Sequence, residues 1–296
     1  MGRELPEVDG VEHRFLDVRG LRMHVAVAGE GEPVVMLHGW PQHWYEWRHL
    51  IASLSKRYRV ICPDMRGLGW TEAPPGGYEK EELASDILAL LDALELDRVK
   101  LVGHDWGGWV GFLICLREPQ RVERYLALNI VPPFLPIGAR NLLSVWRFWY
   151  QWVIAAPRLG EWAVRQVAAG NPVFRWVGAG RKTWTDDDRE IFLGQLQEPD
   201  RARASVQYYR SFQLREIGPL LRGRYRRQRL RVPTRILFGT DDRVMNPRSL
   251  EASKRNADDL SIELVANVGH FIADERPDLV LARALSFFGA PRVTPA

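Results

Sequence analysis

The sequence predicts an α/β fold: a mostly parallel central sheet flanked by helices on both faces, with a helical block inserted into it. Three observations predict this. Short apolar runs alternate with helix-periodic segments along most of the chain, as in consecutive βαβ units. Runs such as Pro33-Val34-Val35-Met36-Leu37 are apolar on both faces, as strands of a covered parallel sheet are. The alternation stops over residues 132–222, where only helical patterns remain, and six of the twelve tryptophans gather there. Residues 1–131 and 223–296 are therefore assigned to one core domain, and 132–222 to a helical cap over the strand ends, where such sheets place their sites.

Each element has its own signal. His13 to Val18 and Leu21 to Ala28 alternate in polarity around Gly20, so they read as a hairpin. Pro33 to Leu37 is a central strand, followed by helical spacing from His43 to Ser55. Arg57 to Cys62 is a strand closed by Pro63-Asp64, and residues 66–77 form a turn-rich loop. In the helix Lys80 to Leu96, Leu83, Ile87, Leu90, Leu91 and Leu94 share one face. Val99 to Val102 is a strand, Trp109 to Arg117 a helix and Val122 to Ile130 a strand. After the inserted block come a strand at Thr234 to Gly239, a helix at Pro247 to Asn256, a strand at Ser261 to Val265 and a helix at Pro277 to Phe288. Arg222, Arg224, Arg226, Arg227, Arg229 and Arg231 read as a solvated connector back into the sheet.

Composition excludes several classes. A length of 296 residues fits one large domain with an insertion. A net charge of +4 is too small to argue for nucleic acid. Cys62 and Cys115 make neither a disulfide framework nor a metal site, and two buried thiols suit a reducing compartment. The first residues are polar and no run reaches the ~18 apolar residues that span a membrane. The expectation is a cytoplasmic protein with no membrane and no nucleic-acid partner; a homodimer stays open.

The chemistry centres on Gly103-His104-Asp105-Trp106-Gly107, between an apolar strand and a helix. Gly-x-Asp-x-Gly there has the form of a nucleophile elbow, a tight turn that holds its central residue clear of its neighbours. A carboxylate is a poor acylating nucleophile, because acylation would make an anhydride. It is well suited to attack saturated carbon, which leaves an alkyl ester on the enzyme. Hydrolysing that ester needs a base, and His270 in Gly269-His270-Phe271 follows the last strand. Among the other histidines, His24 lies in a strand and His43 and His49 on a surface-type helix, which favours structural roles. The side chains of His38 and His104 are expected to brace their turns. Gly239-Thr240-Asp241-Asp242 offers two orienting carboxylates, Asp241 and Asp242. Ester hydrolysis creates an oxyanion on the aspartate, and the backbone N–H groups of Trp40 and Trp106 are the expected donors.

His38-Gly39-Trp40-Pro41, the elbow, Gly239-x-x-Asp242 and Gly269-His270-Phe271 together resemble the α/β-hydrolase-fold epoxide hydrolases over nearly the whole chain. The order nucleophile, acid, histidine is the order of that fold. The Gly-x-x-Asp spacing of that family selects Asp242, with Asp241 the alternate. The resemblance implies hydrolysis of a small apolar epoxide with water, without metal or organic cofactor. It also implies two cap tyrosines that donate to the epoxide oxygen. Ring opening asks for such donors independently, since an alkoxide leaves poorly without a proton. Tyr150 is similar to the first, and Tyr209, in Tyr208-Tyr209-Arg210, to the second, with Tyr208 as alternate. His38, Trp40, Trp106 and Trp149 are assigned to the substrate pocket, and Trp146, Trp149 and Trp152 to one helical face, partly cap core and partly pocket wall. Haloalkane dehalogenases share the aspartate and are the alternative; Trp40 and the paired tyrosines speak against them. Fluoroacetate dehalogenases usually carry arginine where Trp106 stands. A catalytically silent receptor is disfavoured by the complete set of groups.

Overall fold

The computed structural model of the protein describes residues 3–134, 149–171, 183–242 and 247–290. Its sheet begins with the hairpin β1 (Glu12–Val18) and β2 (Leu21–Ala28), turned at Gly20. β3 (Glu32–Leu37), β4 (Tyr58–Pro63), β5 (Val99–His104), β6 (Val122–Leu128), β7 (Thr234–Gly239) and β8 (Leu260–Val265) pair in parallel. The spatial order is β1-β2-β4-β3-β5-β6-β7-β8. The chain leaves β3 outward to β4, then returns past β3 to β5 and continues the other way. Loops from the ends of β3 and β5 therefore diverge and open a crevice, the usual ligand position in such sheets.

Helices cover both faces. α1 (Arg48–Leu54), α2 (Lys80–Ala93) and α3 (Asp105–Arg117) alternate with the strands. Between β6 and β7 the described residues are helical: α4 (Trp149–Ala155), α5 (Gly160–Ala168), α6 (Asp186–Leu193), α7 (Pro199–Ser211), a π-helical turn at Phe212–Glu216 and α8 (Ile217–Leu221). α9 (Ile272–Glu275) and α10 (Pro277–Phe288) close the chain. Strand alternation splits the core into two layers. Val35, Leu37 and Leu101 pack with Leu83, Ile87 and Val110, while Val34, Met36 and Val102 pack with Leu50, Leu54 and Val280. Both β3 and β5 are thus buried on both faces, which is why Val34 to Leu37 reads as an unbroken apolar run; in β5 the run is interrupted by Lys100, which is buried against Glu32 and Glu123.

Several elements differ from expectation. The last helical face before Asn256 is a 3-10 helix, Pro247–Asn256. Three and 3.6 residues per turn are hard to separate over so short a stretch. α3 starts at Asp105, four residues before the predicted Trp109. Gly107 and Gly108 disfavour a helix by propensity, but close packing overrides it. A Cβ on Gly107 would lie 2.3 Å from the Leu37 carbonyl oxygen and 2.4 Å from that of His38. His43 is fully buried rather than superficial; it caps a 3-10 turn, Trp44–Trp47, and its Nε2 meets the Ile191 carbonyl in the inserted block. Burial lowers its pKa to about 3, so it is a neutral core residue. The six arginines of the connector are exposed, while Tyr225 and Leu230 among them are buried, as in a solvated run anchored at two points. Cys62 and Cys115 are both buried and free. Among the described residues, no helix is long and apolar enough to cross a membrane.

Candidate active site

Asp105 stands where β5 turns into α3, with a positive φ of 47°. L-residues adopt that region at a cost, which makes such positions candidates for function. The loop after β3 lies against it. Here Gly39 is required, because a Cβ would come within 2.6 Å of the Asp105 Cβ. That close approach lets the Trp40 N–H donate to Asp105 Oδ2 at 3.0 Å. The Trp106 N–H, the other expected donor, makes no hydrogen bond to the carboxylate in this geometry. A donor of this kind is aimed at the tetrahedral oxyanion, whose oxygen lies elsewhere than in the ground state.

His270, at the end of the loop after β8, faces the same carboxylate. Its Nε2 is 3.7 Å from Asp105 Oδ1, and its Nδ1 is 2.8 Å from Asp242 Oδ2. Burial alone would lower the histidine pKa, but the Asp242 and Asp105 carboxylates outweigh it and push it up to about 10. His270 is therefore an imidazolium in the free protein at neutral pH. Asp105 shifts the opposite way: burial raises its pKa, but His270 overrides that and the net shift is downward. Asp241 points elsewhere, exposed and paired with the Thr240 hydroxyl.

Two residues beyond the expected set complete this frame. Asn129, buried at the end of β6, donates through Nδ2 to Asp242 Oδ2 at 2.7 Å and to the Gly269 carbonyl at 3.1 Å. Its signal in the sequence is one amide ending an apolar strand. Glu46 is fully buried in the turn before α1; its Oε2 accepts the Gly39 N–H at 3.0 Å. Its Oε1 stands 2.9 Å from His104 Nδ1, poorly aligned for a hydrogen bond, while His104 Nε2 meets the His270 carbonyl at 2.8 Å. Burial lowers the His104 pKa, but Glu46 turns the net shift upward. Glu46 and His104 thus join the loop of Trp40 to the loop of His270. Their long sequence separations hid that link.

The inserted helices complete the enclosure. Tyr150 on α4 and Tyr209 on α7 are both buried, their rings 6.1 Å apart and edge-on. Tyr209 also meets Trp40 at 5.2 Å and Trp106 at 5.8 Å. Burial raises both phenol pKa values, so both are neutral donors. Gln151 Nε2 approaches the Tyr150 hydroxyl at 3.4 Å. Tyr208 faces away: its hydroxyl donates to the Arg66 carbonyl at 3.0 Å and its ring packs on Tyr78. Between the two adjacent tyrosines, Tyr209 is the one beside Asp105.

Other assignments change. His38 is fully buried and both ring nitrogens serve backbone, Nδ1 toward the Gly39 carbonyl and Nε2 accepting from the Met65 N–H. No polar atom of that ring is left for a substrate, so His38 braces the turn instead of binding. Trp149 is half-buried, whereas Trp152 is 52% exposed and is neither cap core nor pocket wall. Trp146 lies outside the described residues. Trp40 and Trp106 wall the space beside Asp105, and Phe212 packs on Trp106 at 5.1 Å. A shallow cleft lined by Gly10, Arg14, Gly31 and Arg59 lies at the opposite end of the strands and holds none of these groups. No cluster of ligand residues suited to a metal ion occurs among the described residues.

An elbow aspartate at a sheet crevice, with a histidine and acid supplied by later strands, is the arrangement of one family. The sequence pattern of the α/β-hydrolase fold matches residues 32–277. The chain belongs to that family, and it is a hydrolase. It is 29% identical over 289 residues to the soluble epoxide hydrolase of Corynebacterium sp. (strain C12), covering 95% of this chain and 99% of that one. It is 28% identical to epoxide hydrolase 4 of Mus musculus, over 88% of this chain and 74% of the mouse protein. The solved structure of epoxide hydrolase VrEH1 from Vigna radiata superposes with a TM-score of 0.83 at 27% identity, over 96% of this hydrolase and 99% of the other chain.

Proposed function

We propose that this hydrolase converts an epoxide to a vicinal diol through an alkyl ester on Asp105. The observation that carries the reading is the carboxylate at the elbow, lying under the Trp40 N–H and near His270, with Tyr150 and Tyr209 in the helices above. Relatives named as epoxide hydrolases support it. Residues 132–222 act as the cap that supplies both tyrosines.

In the first step an Asp105 oxygen bonds to an epoxide carbon as that carbon's bond to the ring oxygen breaks. The ring oxygen takes a proton from Tyr150 or Tyr209. Alkylation turns the Asp105 carboxylate into a neutral ester, so one of the two charges holding the His270 proton disappears. His270 then gives up its proton, the phenol is restored, and the histidine is left as a free base. In the second step His270 takes a proton from water as the water oxygen bonds to the Asp105 carboxyl carbon. The oxyanion that forms lies against the Trp40 N–H; one such donor contributes roughly 2.7–4 kcal/mol. On collapse the bond to the substrate oxygen breaks and that oxygen takes the proton of the newly bound hydroxyl, which releases the diol and returns the carboxylate facing an imidazolium. Asp242, held by Asn129, keeps Nδ1 of the ring occupied, so that Nε2 faces the ester.

The test is His270→Gln incubated with a panel of apolar epoxides. The expected result is an intact-protein mass increased by the mass of one epoxide, mapped to Asp105, while the unmodified enzyme releases diol. Diol formation with no adduct at Asp105 would sink the scheme.

A further inference from the structure

We propose that Lys80 is a positioning residue for ring opening: its ammonium fixes Tyr209 relative to Asp105. This rests on the reading of the site given above. Lys80 is the first residue of α2, where a lysine ordinarily reaches solvent, yet its side chain is fully buried. Its Nζ lies 4.4 Å from the centre of the Trp106 ring. It donates to the Tyr208 carbonyl at 2.7 Å, and the Tyr78 carbonyl and Glu216 Oε1 each stand 3.3 Å away. Glu216 Oε2 also accepts the Lys80 backbone N–H at 3.0 Å, so one carboxylate holds the residue twice.

The contacts fall beside the reacting side chains. The Tyr208 carbonyl belongs to the peptide bond that leads into Tyr209. Trp106 directly follows Asp105. One ammonium therefore ties the backbone of the acid to the indole beside the nucleophile, with the added attraction of a cation over an aromatic face. The helix is shaped to allow this. The π-helical turn at Phe212–Glu216 winds wider than an α-helix, a distortion that recurs at functional sites. It sets Phe212 against Trp106 and Trp109 and Glu216 against Lys80.

Stability alone is a poor reason for this lysine. A buried ion pair is often matched or bettered by apolar side chains of similar volume. A methionine could fill the same space under Trp106, but it could not hold the Tyr208 carbonyl. Tyr209 serves ring opening, whereas hydrolysis of the ester uses His270 and the backbone N–H groups of Trp40 and Trp106, none of which the Lys80 ammonium bonds. Loss of the ammonium should therefore slow the first step and spare the second.

The experiment compares Lys80→Met and Lys80→Arg, each alone and combined with His270→Gln, using styrene oxide as the probe. Adduct formation is timed by quenched-flow mass spectrometry in the His270→Gln background, and ester hydrolysis by single turnover with His270 present. Lys80→Met should slow adduct formation by about tenfold or more, the size expected of a misplaced acid, with ester hydrolysis unchanged. Lys80→Arg should recover part of the loss. Equal slowing of both steps, or an unchanged rate of adduct formation, overturns the role of Lys80. No adduct in the His270→Gln parent overturns the site reading along with it. Should Lys80→Met fail to fold, Glu216→Gln removes the carboxylate that holds the buried amine in its charged form, so it too should slow adduct formation and spare ester hydrolysis, and the same two outcomes overturn the role.

Discussion

Asp105 and His270 control each other's protonation, and that has a measurable sign. The histidine holds its proton up to about 10 because two carboxylates outweigh its burial. Asp105→Asn removes one of those charges while nearly preserving shape, as the proposed ester would. The His270 pKa should therefore fall in Asp105→Asn, read by nitrogen chemical shifts of the imidazole across a pH series. An unchanged or raised value would mean that Asp105 does not hold that proton. The tyrosines offer a second contrast. Tyr150→Phe and Tyr209→Phe should each slow adduct formation by about tenfold to a hundredfold, within the range of general acid catalysis. Tyr208→Phe should leave that rate nearly unchanged, since its hydroxyl is spent on the Arg66 carbonyl. At this scale the elbow pattern singled out Asp105 and the loop after the last strand singled out His270, while the choice of Asp242 and Tyr209 rested on the resemblance to epoxide hydrolases. The sequence did not reach Glu46 or Asn129, because a lone buried polar residue carries no pattern until its partner is known.

The elbow links residues to elements. Strand β5 must stop, reverse and start α3 with almost no loop, which brings the Gly107 backbone against the end of β3. Gly107→Ala places a methyl inside contact distance of the Leu37 and His38 carbonyls, neither of which can rotate away. Overpacking of this kind costs about 1–3 kcal/mol or more. Urea unfolding should show the loss, together with a collapse of activity, because the displaced strand end carries Gly39 and Trp40. Stability equal to the parent would show that the turn can relax. Strands were legible because Val34 to Leu37 is apolar on both faces and Val99, Leu101 and Val102 are buried around a single lysine. The start of α3 was not, since helix propensity argues against Gly107 and Gly108 while packing demands them. His43 was misplaced for a related reason. Its partner, the Ile191 carbonyl, lies 148 residues away in the inserted block.

At the scale of the whole molecule, the inserted helices are tied to the core by buried polar contacts that no local pattern announces. Gln195 donates to the Pro41 carbonyl and accepts the Gly69 N–H, and the Trp40 indole donates to the Ser205 hydroxyl. Arg48 is the centre of the strongest tie. It stands 3.0 Å from Asp188 on α6 and 2.7 Å from Asp274 on α9, four residues beyond His270. Removing one member of a buried charge network typically costs about 3–5 kcal/mol, because the partner is left uncompensated. Arg48→Met should destabilise the protein by that order at neutral pH. Arg276→Ala, which breaks an exposed pair with Asp278, should change nothing measurable. The Arg48→Met deficit should also depend on pH. Burial already holds the Asp274 carboxyl above its ordinary value, and Arg48 is what pulls it down. Without Arg48 the folded state binds that proton more readily than the unfolded state, so stability falls as pH rises above the unfolded carboxylate value of ~3.9. Urea unfolding midpoints should therefore separate parent from variant least in acid and most near neutrality. A deficit that stays constant across that range would mean that Arg48 acts through packing on Tyr45 and Phe192 rather than through Asp274.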